Sequence, residues 1–238
     1  AVNKDIEKII NFSKKNKISI IEDCAISFGT QYKNSYIGTL GDIGFYSFGM
    51  FKFVSSLNGG FIITKDKEIF TKIIEMHNKF NEPNFFQLFK NFLKAIFISF
   101  FTSNIIFKFI TNNIIRFGYL NNINIINNFT KNDPEVRFLE RLPDNYKVKI
   151  SNSQANSIIK QLHKFKDNLN IRIGNAYIYY KNLKNIKELI IPPFNNDLSN
   201  GYLNFPIQFN NRNKLLKFLF INKRDVAKYF YRNCNLLE

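Results

Sequence analysis

Three short strand-like runs set between two helical patterns constrain the fold most. ISIIE (18–22) reads as a short buried strand that ends at Asp23. GDIGFYSF (41–48) is a second strand, opened by a glycine, and GGFIITKD (59–66) is a third. Ahead of them, residues 3–15 place Ile6, Ile9, Ile10 and Phe12 at helical spacing. Behind them, residues 66–78 predict a helix with Asp66 as its N-cap and acidic residues in its first turn. Helix, strand, strand, strand, helix fits an α/β layer better than an all-β sandwich.

The rest of the chain changes character twice. Residues 83–132 hold no Asp or Glu, and their charges are Lys90, Lys94, Lys108, Arg116 and Lys131. Phe85, Leu88, Phe89, Phe92, Leu93, Ile96, Phe97, Phe100 and Phe101 fall at i, i+3, i+4 spacing. The longest uncharged run, Ala95 to Phe107, is shorter than the roughly 20 apolar residues a spanning helix needs. A basic, Phe-rich helix pair suits the plane of a membrane surface, or a face packed on protein. From about 133 the patterns become globular again. Residues 151–169 predict a helix capped by Ser151 and 170–183 continue it; 202–209 predict a strand; 211–218 and 224–230 predict helices. The expected division is therefore 1–82, 83–132 and 133–238, the last a smaller α+β unit.

Composition bounds the partners. A chain of 238 residues is long enough for a sizeable core. Its net charge of +16 is dispersed, without a long basic block, and goes with a Lys-, Asn-, Ile- and Phe-rich, Trp-free composition. That reads as compositional drift; no recognition helix or aromatic RNA-binding motif is visible, which disfavours nucleic acid. Cys24 and Cys234 cannot make a disulfide framework and read as reduced thiols of a cytosolic protein. His77 and His163 stand far apart without a ligand cluster, so no structural metal is expected. The first residue is Ala1, and no signal-like segment precedes the first helix. The expectation is a processed chain or a part of a longer one.

Three chemical groups follow one another at the strand ends. Asp23 closes the first strand, at the carboxyl end where α/β folds place ligands. Ser47 closes the next, and Lys52 follows between Phe51 and Phe53, ahead of Gly59 and Gly60, which permit close backbone approach. Carboxylate, hydroxyl and amine together suit pyridoxal 5′-phosphate, with the amine on its aldehyde, the carboxylate on its ring nitrogen and the hydroxyl on its phosphate. Singly, each has an ordinary reading as a turn residue, a strand end or a solvated lysine.

The stretch IEDCAISFGTQYKNSYIGTLGDIGFYSFGMFKFVSSLNGGFIITKD resembles the pyridoxal-phosphate-dependent sugar aminotransferases of the DegT/DnrJ type. The resemblance rests on Glu22-Asp23-Cys24-Ala25, Gly38-Thr39-Leu40-Gly41-Asp42-Ile43-Gly44, Ser47-Phe48, Lys52 and Gly59-Gly60. It continues more weakly at SNSQANSIIKQLHKF and NIRIGNAYIYY and covers most of 3–80 and 150–235, with 83–130 as an insertion. It implies the type I, aspartate aminotransferase-like fold, as a partial large domain with a smaller α+β C-terminal domain. It further implies a homodimer with shared active sites. The implied activity moves an amino group, usually from glutamate, to a nucleotide-linked keto sugar of amino-sugar or cell-surface polysaccharide biosynthesis, in the cytoplasm. Lys52 is the implied covalent anchor of pyridoxal 5′-phosphate, Asp23 the partner of its ring nitrogen and Ser47 a phosphate ligand.

The chain departs from the family's pattern in several places. Ile26 stands where a polar residue usually holds the cofactor's ring hydroxyl, and Asn58 stands where Glu is usual. Lys147 and Lys149, with Asn145 nearby, align where a second subunit usually sends an Asn and an Arg; a lysine still meets phosphate as a point charge. The family's N-terminal third, with its phosphate loop and stacking aromatic, has no counterpart here, and the chain reads as truncated at both ends. Alternative readings are a catalytically inactive relative, or a basic module with peripheral membrane contact at the inner surface through 83–130.

Overall fold

The computed structural model describes residues 5–129, 140–141 and 143–227. Along the first half the elements are α1 (Ile6–Asn16), β1 (Ile21–Asp23), β2 (Gln31–Tyr32), β3 (Ser35–Tyr36), β4 (Ile43–Ser47), β5 (Gly60–Thr64), α2 (Lys67–Asn78) and α3 (Phe85–Thr102). Then come α4 (Asn104–Ile106), one π-helical turn (Phe107–Thr111), α5 (Asn112–Leu120), α6 (Asn124–Phe129), α7 (Asn152–Leu162), α8 (Phe165–Leu183), the paired β6 (Leu189–Ile190) and β7 (Gln208–Phe209), and α9 (Arg212–Ile221). Contacts group these into two compact units, Ala1–Gln87 with Asp144–Gln208, and Leu88–Pro143 with Phe209–Glu238. The grouping cuts across the linear division expected at 82/83 and 132/133.

The first unit is built on a three-stranded sheet of order β1-β4-β5. β1 runs parallel to β4 with Asp23 opposite Phe45, and β4 runs antiparallel to β5 with Ser47 opposite Gly60. Side chains alternate across a strand, so Tyr46, Phe48, Phe61 and Ile63 share one face, and Asp23, Phe45, Ser47 and Ile62 share the other. The first face is the core. Phe28 sits at its centre, edge-on to Tyr46 (5.5 Å), Phe61 (6.2 Å) and Phe165 of α8 (4.9 Å). Cys24, Ile37 and Tyr46 are buried beside it on one side, and Phe48, Val54 and Ile158 of α7 on the other. The second face is open: Ile21 and Ile62 are more than half exposed.

The expected helix caps are present. The Asp66 carboxylate accepts from the backbone N–H of Glu68 and Ile69, and Ser151 makes a reciprocal capping box with Gln154. The segment 151–183 bends between α7 and α8 at His163–Lys164, where one long helix was expected.

Three expectations are corrected. The strand over 18–22 starts at Ile21 and runs to Asp23; the N–H of Ile20, just ahead of it, is taken by the Asp42 side chain. The strand over 202–209 contracts to Gln208–Phe209. Tyr202 has a left-handed backbone (φ 48°), its hydroxyl bonds both backbone groups of Asn195, and Pro206 has no N–H to give to a ladder. Residues 224–227 are not helical, and the rest of the helix expected over 224–230 lies outside the described residues, as does Cys234. The hairpin β2–β3 was not anticipated. Lys33 and Asn34 both have positive φ (45° and 66°), the signature of a two-residue type I′ turn.

In the second unit, α9 packs on α5. The ring of Tyr119 lies 4.6 Å from that of Phe220, and Leu216 and Phe220 are buried.

Candidate active site

The carboxyl ends of β1 and β4 bring Asp23 and Ser47 together. They lie on one face of adjacent strands and are offset by two residues, which puts their Cα atoms roughly 8 Å apart. Asp23 is exposed, and its Oδ1 accepts the backbone N–H of Ala25 at 2.9 Å. That bond fixes the carboxylate at the strand end through one of its two oxygens. Ser47 Oγ accepts the N–H of Gly49 at 3.2 Å, and its own proton remains to be donated.

Lys52 approaches Ser47 across Gly49. A methyl group on Gly49 would lie 3.3 Å from Ser47 Oγ, 3.7 Å from Lys52 Cγ and 3.9 Å from Lys52 Cε. The lysine stem therefore passes over the same bare backbone that faces the serine hydroxyl. The flanking phenylalanines divide the work. Phe51 is exposed, whereas Phe53 turns inward, under the Arg172 guanidinium (5.3 Å) and against Phe165 (6.3 Å). Val54, 1% exposed, pins the loop just beyond.

The loop closes by backbone pairing. Phe48 N–H donates to Gly59 C=O and Ser56 N–H to Phe48 C=O, both at 2.9 Å. Gly59 has φ 91°, and a Cβ on Gly60 would stand 2.3 Å from the Tyr46 carbonyl oxygen. No other residue fits the second position without parting β4 from β5.

Helix α7 then grips this loop through two glutamines one heptad apart, hence on one helical face. Gln161 accepts from Ser55 N–H at 3.0 Å and donates to Ser55 C=O at 2.7 Å. Gln154 donates to Ser56 C=O at 3.2 Å and to Asn58 Oδ1 at 2.5 Å. Asn58 thus works as an anchor for α7. Sequence reading marked the helix but gave neither glutamine this part.

Glu22 was also unassigned. Its Oε1 accepts the N–H of Leu40 and Gly41 (2.8 and 2.7 Å), and its Oε2 that of Gly38 (2.7 Å). Asp42 Oδ2 accepts Ile20 N–H at 2.7 Å. A Cβ on Gly44 would come 2.2 Å from the Gly38 carbonyl oxygen. The Gly38–Gly44 motif is therefore scaffold, a loop clamped onto β1 and β4 beneath the site.

The family profile described as "DegT/DnrJ/EryC1/StrS aminotransferase family" matches residues 2–92 and 120–238. The chain belongs to this aminotransferase family. Among relatives, it is 39% identical over 70 residues to GDP-perosamine synthase of Escherichia coli O157:H7, covering 29% of this chain and 19% of that protein. It is 30% identical over 69 residues to the UDP-4-amino-4,6-dideoxy-N-acetyl-beta-L-altrosamine transaminase of Campylobacter jejuni, covering 29% and 18%. A DegT DnrJ EryC1 StrS aminotransferase from Brucella abortus superposes with TM-score 0.59 at 17% identity, over 93% of this chain and 44% of that one. Helicobacter pylori PseC, titled an aminotransferase of pseudoaminic acid biosynthesis, gives 0.57 at 16% identity, over 91% and 45%. The fold is thus that of the type I aminotransferases, and the chain spans under half the length of these two solved relatives.

The remaining candidates lie around this family core. Ile26 is exposed, three residues past Asp23 in the turn that Ser27 N–H closes onto Cys24 C=O. Lys147 and Lys149 flank Val148, which bridges Asn81. Lys147 Nζ stands 3.5 Å from the Asp144 carboxylate, and Lys149 Nζ pairs with Glu82 at 2.8 Å. Asn145 belongs to the helical turn Asp144–Tyr146, and its side chain lies outside the described residues. A hollow of about 610 Å³ is an open groove at the other end of the sheet, lined by Lys14, Lys17, Asp42 and Lys65 among others. It does not include Asp23, Ser47 or Lys52.

Proposed function

We infer that these residues form the cofactor end of a pyridoxal-phosphate-dependent aminotransferase that delivers an amino group, glutamate being the donor, to a nucleotide-linked keto sugar. The observation that carries the inference is the convergence of Ser47 Oγ and the Lys52 stem on Gly49, beside Asp23 on the same sheet face. Family membership and the sugar-transaminase names of the relatives support the substrate class.

The residues fit the cofactor. Gly49 leaves bare backbone where a Cβ would press on the Ser47 hydroxyl at 3.3 Å and touch the lysine stem at ordinary contact distance. Asp23 would supply a carboxylate oxygen for a protonated ring nitrogen, Ser47 a hydroxyl proton for a phosphate oxygen, and Lys52 an amine for an aldehyde. Bound there, the cofactor supplies an electron sink for the carbon that loses its proton. Lys52 would take that proton and return it, and Asp23 would hold the proton on the ring nitrogen by charge and hydrogen bond. Lys147 and Asn145, on their separate turn, are proposed to serve the second active site of a homodimer.

The test is spectroscopic. Adding pyridoxal 5′-phosphate to the protein is expected to give a visible band of lysine-bound cofactor, and Lys52→Ala is expected to remove it. A band of undiminished strength in Lys52→Ala would overturn the assignment.

A further inference from the structure

The second unit carries a surface that the amino-transfer chemistry does not use. The family profile passes over residues 93–119, so this segment is an addition to the shared enzyme. It contains the later part of α3, α4, the π-helical turn and all of α5 but its last residue. α3 is 18 residues long and none of them is buried. Phe92, Ile96 and Phe100 recur every four residues, with Leu93 and Phe97 alongside, and each of the five is at least half exposed. Together they form one apolar stripe directed at solvent. Lys90 and Lys94, four residues apart and exposed, border it. The return arm repeats the pattern, with Ile105, Phe109 and Phe117 exposed and Lys108 and Arg116 among them.

Charge decides what covers such a face. Residues 83–128 contain no acidic residue, and among the described residues Lys90, Lys94, Lys108 and Arg116 make no ion pair. The nearest acid in sequence, Glu82, is held by Lys149 at 2.8 Å. A second copy of the chain would set this cationic rim against itself, and the whole chain carries +16. An anionic lipid surface instead offers headgroup charge to the lysines and acyl boundary to the phenylalanines. At 18 residues, α3 stands at the lower end of the roughly 17–25 that a spanning helix needs. Lys90 and Lys94 lie within its length beside the stripe, where a helix in the interfacial plane keeps them at the headgroups.

We propose that α3 and the arm running to α5 dock the protein on the surface of an anionic bilayer, with the stripe sunk at the headgroup boundary. The proposal is independent of the aminotransferase reading.

Vesicle flotation tests it with the full chain. The protein is expected to float with phosphatidylcholine–phosphatidylserine vesicles and to remain below with phosphatidylcholine alone, and high salt is expected to release it. Lys90→Glu with Lys94→Glu is expected to weaken partition at least tenfold, at about 1 kcal/mol for each cation near the surface. Phe92→Ser with Ile96→Ser is expected to reduce it comparably, and circular dichroism should stay unchanged because these side chains face outward. Equal flotation on neutral and anionic vesicles, binding that resists high salt, or charge-reversal variants that float like the parent would overturn the proposal.

Discussion

At the scale of single residues, the groups beside the candidate site divide into chemistry and scaffold. Asp23 and Lys52 were singled out by their places at a strand end and between phenylalanines, and their expected roles came from the family resemblance. Glu22, one residue from Asp23, was not, since nothing in the sequence says which backbone N–H groups a carboxylate will gather. Cys24, next in line, is fully buried. Burial pushes its thiol up to about 12, with the charges of Glu22 and Asp23 adding to the rise. Burial likewise raises the Tyr46 phenol to about 12, helped by Cys24 and Glu22. The folded chain therefore keeps protons that the unfolded chain gives up first. Their contribution is complete below pH 9, where an ordinary thiol titrates, and is lost as pH rises towards 12. Urea midpoints should fall between pH 9 and 12, and less steeply in Cys24→Ala. Parallel slopes would remove the thiol from the account.

At the scale of elements, periodicity and capping chemistry located α1, α2 and α7, because those signals are local. The three runs that form β1, β4 and β5 were likewise legible, from apolar stretches bounded by polar residues and glycine. The failures were tertiary in origin. The Tyr202 segment has strand composition but is held as a loop by the bonds of its hydroxyl to Asn195. The grip of α7 on the lysine loop spans a sequence separation that no local pattern encodes. Gln161→Ala should strand both backbone groups of the half-buried Ser55 and cost about 1–2 kcal/mol, read as a lower denaturation midpoint. Gln161→Glu keeps the acceptor for the Ser55 N–H but sets a carboxylate oxygen against its C=O. It should recover no more than part of that loss, and full recovery would show that the donated bond contributes nothing.

At the scale of the whole molecule, one face of the sheet is a packed phenylalanine core and the other stands open with Asp23 and Ser47 on it. The α/β class followed from the sequence; the sidedness did not, because it depends on which face Phe28 and Phe165 cover. The open face is where the proposed chemistry has room to occur, and the account stands or falls on whether Lys52 serves it. Borohydride reduction after addition of pyridoxal 5′-phosphate, followed by peptide mapping, tests this most directly. The account predicts the added mass concentrated on Lys52, above the many exposed lysines. Label spread over those surface lysines, with no preference for Lys52, would contradict it.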